Sequence, residues 1–385
     1  MRRLIFSIAL LVVGVAVAEE AAIPSGEIPP VVRSLFPTQG GAIHVLVDDI
    51  TGDGRLDLAF TSHGNNEIQV YQQVAPRRFE ASDLQSITGF HPNDAIALPG
   101  LPKRYLINAE GEGKLKVVKA QPDGRFELIA ERPQSAPRAS TPFSWPGWDM
   151  GLAVAPFSGK TLTLLRGFNS ETGDVKGIYS LDLGNEPKHV RVGDLNGDGI
   201  DELVLTTLLT NEIWVIDYPG ADKDPVPRRL WSFDRGWPRH VLPFDVDRNG
   251  TVDLLAPMAV RQETVVLLND GKGHFTEGKP IPYPGNVGIH VMTTGQDRDG
   301  ARYLLAGGIY SLVLYREIKD TPGVFEHIRL SLARWPNWVE LKDVDGDGWL
   351  DVVTAIQGAE EPSFVIYGPL WETFTTLAAS DKKAD

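Results

Sequence analysis

A nine-residue frame recurs through this chain. The fullest copy, DVDGDGWLD, places acids at Asp343, Asp345, Asp347 and Asp351, with Gly348 directly after the third. Oxygen-bearing side chains at alternate positions converge only where the backbone turns tightly, and glycine supplies the freedom for that turn. Hard cations take six to eight oxygens, so the spacing is that of a calcium loop. The frame returns as DITGDGRLD, DLNGDGIDE and DVDRNGTVD. The further ligand sets are then Asp49, Thr51, Asp53 and Asp57; Asp194, Asn196, Asp198 and Glu202; and Asp245, Asp247, Asn249 and Asp253. One Ca²⁺ is expected in each of these four loops. A worn copy, GQDRDGARY, keeps Asp297, Asp299 and Gly300 but has no acid at either end.

The flanks argue against a helix–loop–helix. Short apolar runs precede the loops (HVLV, HVRV, HVLP, WVEL) and others follow them (LDLAF, ELVLTT, DLLAP, LDVVTA). Such runs, rich in β-branched residues and bounded by Gly, Pro and Asn, read as strands. An EF-hand would also want a Glu at its twelfth position. The cation loops are therefore expected to join two strands.

Aligning the loops exposes a longer period. Five residues before the first ligand position stand His44, His189, His240 and His290, with Trp338 in the last copy, and a valine follows each. Two further segments keep a lead-in without a loop: HPNDA aligns Asp94, and WPGWD aligns Trp148. The steps through 44, 94, 148, 189, 240, 290 and 338 are 50, 54, 41, 51, 50 and 48. Seven units of this length, each with room for four short strands, predict an all-β fold: one seven-bladed β-propeller over residues 41–380. A β-sandwich offers no reason for such a repeat, and β-helix turns are much shorter. The last blade needs an outer strand. Both VVRSLF, at the end of an N-terminal lead-in over residues 19–40, and WETFTTLAA, residues 371–379, are candidates. No helical pattern of useful length is expected beyond residue 18, and the tail over residues 381–385 is expected to fray.

DxDGDGxxDL between two strands, repeated around a ring, resembles the FG-GAP/VCBS repeat family. That family includes the propellers of integrin α subunits and many secreted bacterial proteins. The resemblance covers residues 40–370. It implies cations in the loops between first and second strands, on the face opposite the usual ligand-binding face, with a structural role. Copies two, three and six depart from the pattern, which implies no ion there.

Composition narrows the setting. The chain opens MRRLIFSIALLVVGVAVA, two arginines before an apolar run that ends in small residues. That reads as a signal peptide over residues 1–18, cleaved before Glu19, and the run is too short for a membrane span. The mature chain is expected to be a periplasmic or secreted monomer, with no membrane association after cleavage. It contains no cysteine, so no disulfide ties its loops. The net charge of −14 lies largely in the calcium frames and leaves no basic field for nucleic acid.

If the cation loops mark one face, the lead-ins mark the other, at the mouth of a central channel. His44, Asp94, His189, His240 and His290 there form a candidate ligand set for Zn²⁺ or another transition metal. Trp148, Trp237, Trp335 and Trp338 offer rings for stacking, and Arg235 and Arg334 can pair with a carboxylate. Two functions fit. One is a binding module for a glycan or protein partner through this face. The other is a metal-dependent lyase or isomerase, dehydratase-like, acting on a sugar or sugar acid. No Ser-His-Asp set and no phosphate-binding glycine loop is present.

Overall fold

The computed structural model describes residues 32–38, 40–62, 64, 66–208, 210–220, 223–285, 288–358 and 362–381. The leader assigned as a signal peptide lies outside them. Seven antiparallel sheets follow one another along the chain. Six are built on four consecutive strands with the first innermost, and the seventh takes three consecutive strands and its outer strand from the start of the described chain. The innermost strands are Ala42–Asp48, Pro92–Ala97, Pro137–Phe143, Arg191–Gly193, Leu242–Phe244, Ile289–Gln296 and Pro336–Lys342. Blades 1 to 7 are named in that order. This is a seven-bladed β-propeller, as the fifty-residue period predicts.

The burial pattern explains why the sequence reads as it does. The second strand of each blade sits mid-sheet and is covered on both faces by neighbouring blades. Asp57–Ser62, Gly151–Pro156, Glu202–Thr206, Asp253–Pro257 and Asp351–Ile356 are buried at every position. Strands packed on both faces read as continuous apolar runs. Outer strands such as Gly177–Asp182 alternate instead, since one face meets water. Seven apolar cores result, one between each pair of adjacent blades. The cluster of Val204, Val215, Leu254 and Val265 joins blades 4 and 5, and that of Ala59, Val70, Tyr105 and Val118 joins blades 1 and 2. The seventh cluster joins blade 7 to blade 1, so the ring is closed.

The closing strand is Arg33–Phe36, which pairs antiparallel with Ser363–Ile366 as the outer strand of blade 7. Phe36 is buried, with ring contacts to Phe60, Tyr71 and Phe79. The other candidate, WETFTTLAA, lies in a helix, Leu370–Asp381, which corrects the expectation that no helix follows residue 18. Its apolar residues Leu370, Phe374, Leu377 and Ala378 recur at helical spacing and pack into the core between blades 6 and 7. Thr375 and Thr376 return their hydroxyls to the carbonyls of Trp371 and Glu372, which removes their polar cost within the helix.

Candidate functional site

The cation frames join first to second strands, on one face of the ring. Each is held by its own carboxylates. Asp49 accepts from the backbone N–H groups of Gly52, Asp53 and Gly54, and Asp343 from those of Gly346 and Gly348. The sixth residue is glycine in all four frames, with φ between +82° and +88°, a conformation that strains any other side chain. The ninth residue is buried and ties the loop to the sheet. Asp253 accepts from the backbone of Val246 and Asn269, and Asp351 from Val344 and Gly368, each at 2.8 Å.

The carboxylates gather most closely in two frames. Oxygens of Asp245, Asp247 and Asp253 lie within 4.8 Å of one another, and so do those of Asp343, Asp345 and Asp351. These hard oxygen donors fit a divalent cation. In blade 1, Asp53 pairs instead with Arg55, and in blade 4 Glu202 accepts from the Asn196 amide. A neighbouring blade sends an arginine to each of the two close clusters, and in blade 7 it offsets part of the charge, whereas Arg302 is itself paired with Glu317. Arg77 donates to Asp345 at 2.5 Å and Asp347 at 3.2 Å, and Arg302 donates to the carbonyls of Asp245 and Val246. Blade 3 fills its equivalent turn with Trp145 and Trp148, packed against Phe143 and Tyr179. Trp145 donates to the Asp201 carbonyl.

That placement corrects the lead-in register. Trp148 is buried on the cation-loop side and does not reach the rim. Pairing with the second strand aligns Ala42, Pro92, Pro137, Pro187, Pro238, Ile289 and Pro336, which face Ser62, Ala109, Pro156, Thr207, Met258, Gly308 and Ile356. Two residues on stand His44, Asp94, Ala139, His189, His240, Val291 and Trp338. The lead-in of blade 3 is thus PRASTPF, whose small and polar residues hide it from an alignment built on apolar runs. His290 falls one residue before this ring.

The ring encloses the channel. His44, Asp94, Ala139, His189, Val291 and Trp338 line a cavity of about 320 Å³, together with Arg191 and Glu340 two residues further along their strands. The His44 and Trp338 rings lie 4.5 Å apart, and His189 stacks on His240 at 4.7 Å. Trp338 donates to Glu340 at 2.6 Å, and the Arg191 guanidinium lies 5.9 Å from the Trp338 ring. Period-2 alternation carries the signal for Arg191 and Glu340: they follow His189 and Trp338 by two and share their side of the strand. Sequence reasoning that stopped at the lead-in passed over them.

Burial inside the channel sets the charges. It lowers His44 to about 3 and His290 to about 4, and it holds His189 and His240 well below the usual imidazole range, with nearby arginines adding to the effect. All four imidazoles are therefore neutral at pH 7. Burial raises Asp94 to about 7 against the pull of Arg138 and Arg191. His240 Nε2 donates to the His290 carbonyl at 2.6 Å, which leaves Nδ1 as the acceptor; it is buried without a partner among the described residues. His290 packs on Trp335 at 5.1 Å. The histidines thus stack and hydrogen-bond. Among the described residues they join no group of three candidate metal ligands.

The remaining rim residues lie around this mouth. Trp237 and Tyr310 are exposed on loops of blades 4–5 and 6, and Phe157 is exposed on blade 3. Arg235 and Arg334 are exposed. Asn66 accepts from the His91 backbone. His63, Asn65, Glu360 and Glu361 lie outside the described residues.

Fold and site together define a closed seven-bladed β-propeller whose axial channel is lined by ionisable and aromatic side chains. The sequence matches no protein-family profile and no curated protein. Several solved structures are similar in fold. BBS1N, in complex with ARL6DN, superposes with a TM-score of 0.58 at 9% identity, over 88% of this chain and 96% of that one. Virginiamycin B lyase from Staphylococcus aureus gives 0.57 at 15% identity, over 87% and 98%. A protein from Lactobacillus plantarum gives 0.53 at 13% identity, over 76% and 85%.

Proposed function

We propose that this chain is an exported propeller of the FG-GAP/VCBS type, stabilised by calcium, that binds a glycan or protein partner at its channel mouth. The observation that carries this reading is the chemistry of the mouth. Two recesses that share His189, lined by neutral imidazoles, an indole and guanidinium groups, lie at the channel mouth. Phe157 lines one of them, and Trp237 and Tyr310 are exposed on loops at the same end of the blades. Large rings with polar neighbours supply contact area together with orientation. The acids of blades 5 and 7 would hold calcium on the opposite face, where it neutralises clustered carboxylates. The apolar leader supports export. BBS1N, similar in fold, is a propeller solved with a protein partner.

The metallo-lyase reading has less behind it. It needs imidazoles converging on one point, and here His189 and His240 stack face to face, and among the described residues no three candidate ligands of the channel come together. The test is a glycan array run beside a set of purified envelope proteins, comparing wild type with Trp237→Ala/Tyr310→Ala. Both side chains are exposed, so the fold should survive, checked by an unchanged melt. Loss of the strongest signal by about tenfold is expected. A signal that is indifferent to these changes, and is abolished only by changes on the cation-loop face, would place the site elsewhere.

A further inference from the structure

The position just before the channel ring holds a second pattern. In three consecutive blades a proline is followed by a cation: Pro137-Arg138, Pro187-Lys188 and Pro238-Arg239. The prolines occupy equivalent pairing positions, so the three cationic side chains start from equivalent points on adjacent inner strands. They line one recess of about 340 Å³ with Phe157, Leu208, His189, His240 and Glu186.

The charges there do not balance. Lys188 pairs with Glu186. Arg138 and Arg239 have no carboxylate within ion-pair distance among the described residues, and Asp94, one ring deeper, is the acid that feels Arg138. The two histidines are neutral and contribute no charge. Three cations therefore face a half-enclosed space with one acid among them. Burial, with the Arg138 charge adding to it, brings Lys188 down to about 8, although Glu186 pulls the other way. Like charges held together at a recess cost stability unless an anion fills it. An apolar wall adjoins them. The Arg138 guanidinium lies 5.4 Å from the ring of Phe157, which is exposed.

We propose that this recess is a binding site for a small anionic ligand, a carboxylate or phosphate group carried on one ring-sized body. Arg138 and Arg239 present planar donor forks to the anion, and Lys188 adds a point charge. The body lies against Phe157 and Leu208. The volume is at the low end for a ligand site, which suits one ring. The inference rests on the channel mouth being the binding face, and it names the group recognised there.

The experiment is calorimetry with four probes: glucuronate, glucose 6-phosphate, glucose and inorganic phosphate. Either or both anionic sugars should bind, and which of them binds identifies the anion. Glucose should bind at least about tenfold more weakly, since it leaves the guanidinium groups unpaired. Arg239→Gln and Arg138→Gln should each weaken binding by about tenfold, with melts confirming the fold. A second readout follows from Lys188, which faces Glu186, Arg138, Arg239 and the neutral His189 and His240. Affinity should fall between pH 7 and pH 9.5 as Lys188 loses its proton, and Lys188→Arg should flatten that fall while retaining binding. Equal binding of glucose, inorganic phosphate binding as tightly as the sugars, or indifference to both glutamine variants would overturn the proposal. So would tighter binding of a poly-glutamate peptide, which would make the recess a protein-docking site. Loss of anion binding in the variants with partner binding intact would support the recess and separate it from the wider face. An anion-blind protein that still binds its partner through Trp237 and Tyr310 would sink this inference and leave the function proposed above standing.

Discussion

Asp94 shows how one side chain in the channel is tuned. It lies almost wholly out of water, and Arg138 and Arg191 recover only part of the cost of its charge. Its carboxyl is raised from 3.8 to about 7, so the folded state holds the proton more tightly than the unfolded chain does. The associated stability is fully present below about pH 4 and is lost as pH rises through 7. Asp94→Asn, which cannot ionise, should therefore match wild type at pH 4 and exceed it at pH 8, by up to about 4 kcal/mol. Urea melts of the two proteins at both pH values check this. A stability difference that does not change with pH would mean that Asp94 stays ionised in the folded state throughout. The same site shows the reach of residue-level reading. His44, Asp94, His189, His240 and Trp338 were legible from spacing. Arg138, Lys188 and Arg239 carried an equally plain signal, a cation after proline, that a search for histidines passed over.

Among the elements, the cation loops and the terminal helix reward comparison. The four loops share one frame, yet two bring three acids together within 4.8 Å and two turn an acid to a local partner. The difference lies in the third position of the frame, Asp247 and Asp345 in the two close clusters but Thr51 and Asn196 in the others, with Arg55 drawing Asp53 aside in blade 1. EDTA should lower the melting temperature, excess Ca²⁺ should restore it, and Asp245→Asn/Asp343→Asn should reduce the dependence. A scanning calorimetry trace that EDTA leaves unchanged would remove calcium from the account. The segment that forms the helix Leu370–Asp381 competes as a closing strand in sequence because its threonines and tryptophan favour strand by propensity. Its apolar spacing is helical, and the core between blades 6 and 7 supplies the surface that rewards that spacing.

At the level of the whole ring, stability depends on one short segment from the far end of the chain. Arg33–Phe36 supplies the outer strand of a blade whose other three strands come some three hundred residues later. Without it, Ser363–Ile366 would present an open edge. Phe36→Ala should cost about 3–5 kcal/mol, because the ring fills the core between blades 7 and 1. Denaturant titration measures that cost. A loss below about 1 kcal/mol would show that closure does not depend on this residue. Removal of residues through Pro37 should go further and give self-association by sedimentation, since an uncovered strand edge pairs with other chains.

The blade count, the strand order within a blade, the cation frames and most of the channel ring could be read directly, because each is a local pattern repeated at a near-constant interval. Three matters were beyond that reach: which segment closes the ring, where blade 3 begins, and whether the imidazoles gather around a point or stack. Each depends on what a side chain meets across a blade boundary. Trp145 and Trp148 look like a lead-in until blade 4 is placed beside them, and only the assembled ring shows that the His189 and His240 imidazoles stack at 4.7 Å. Repetition in a chain specifies units, whereas the contacts between units come from packing.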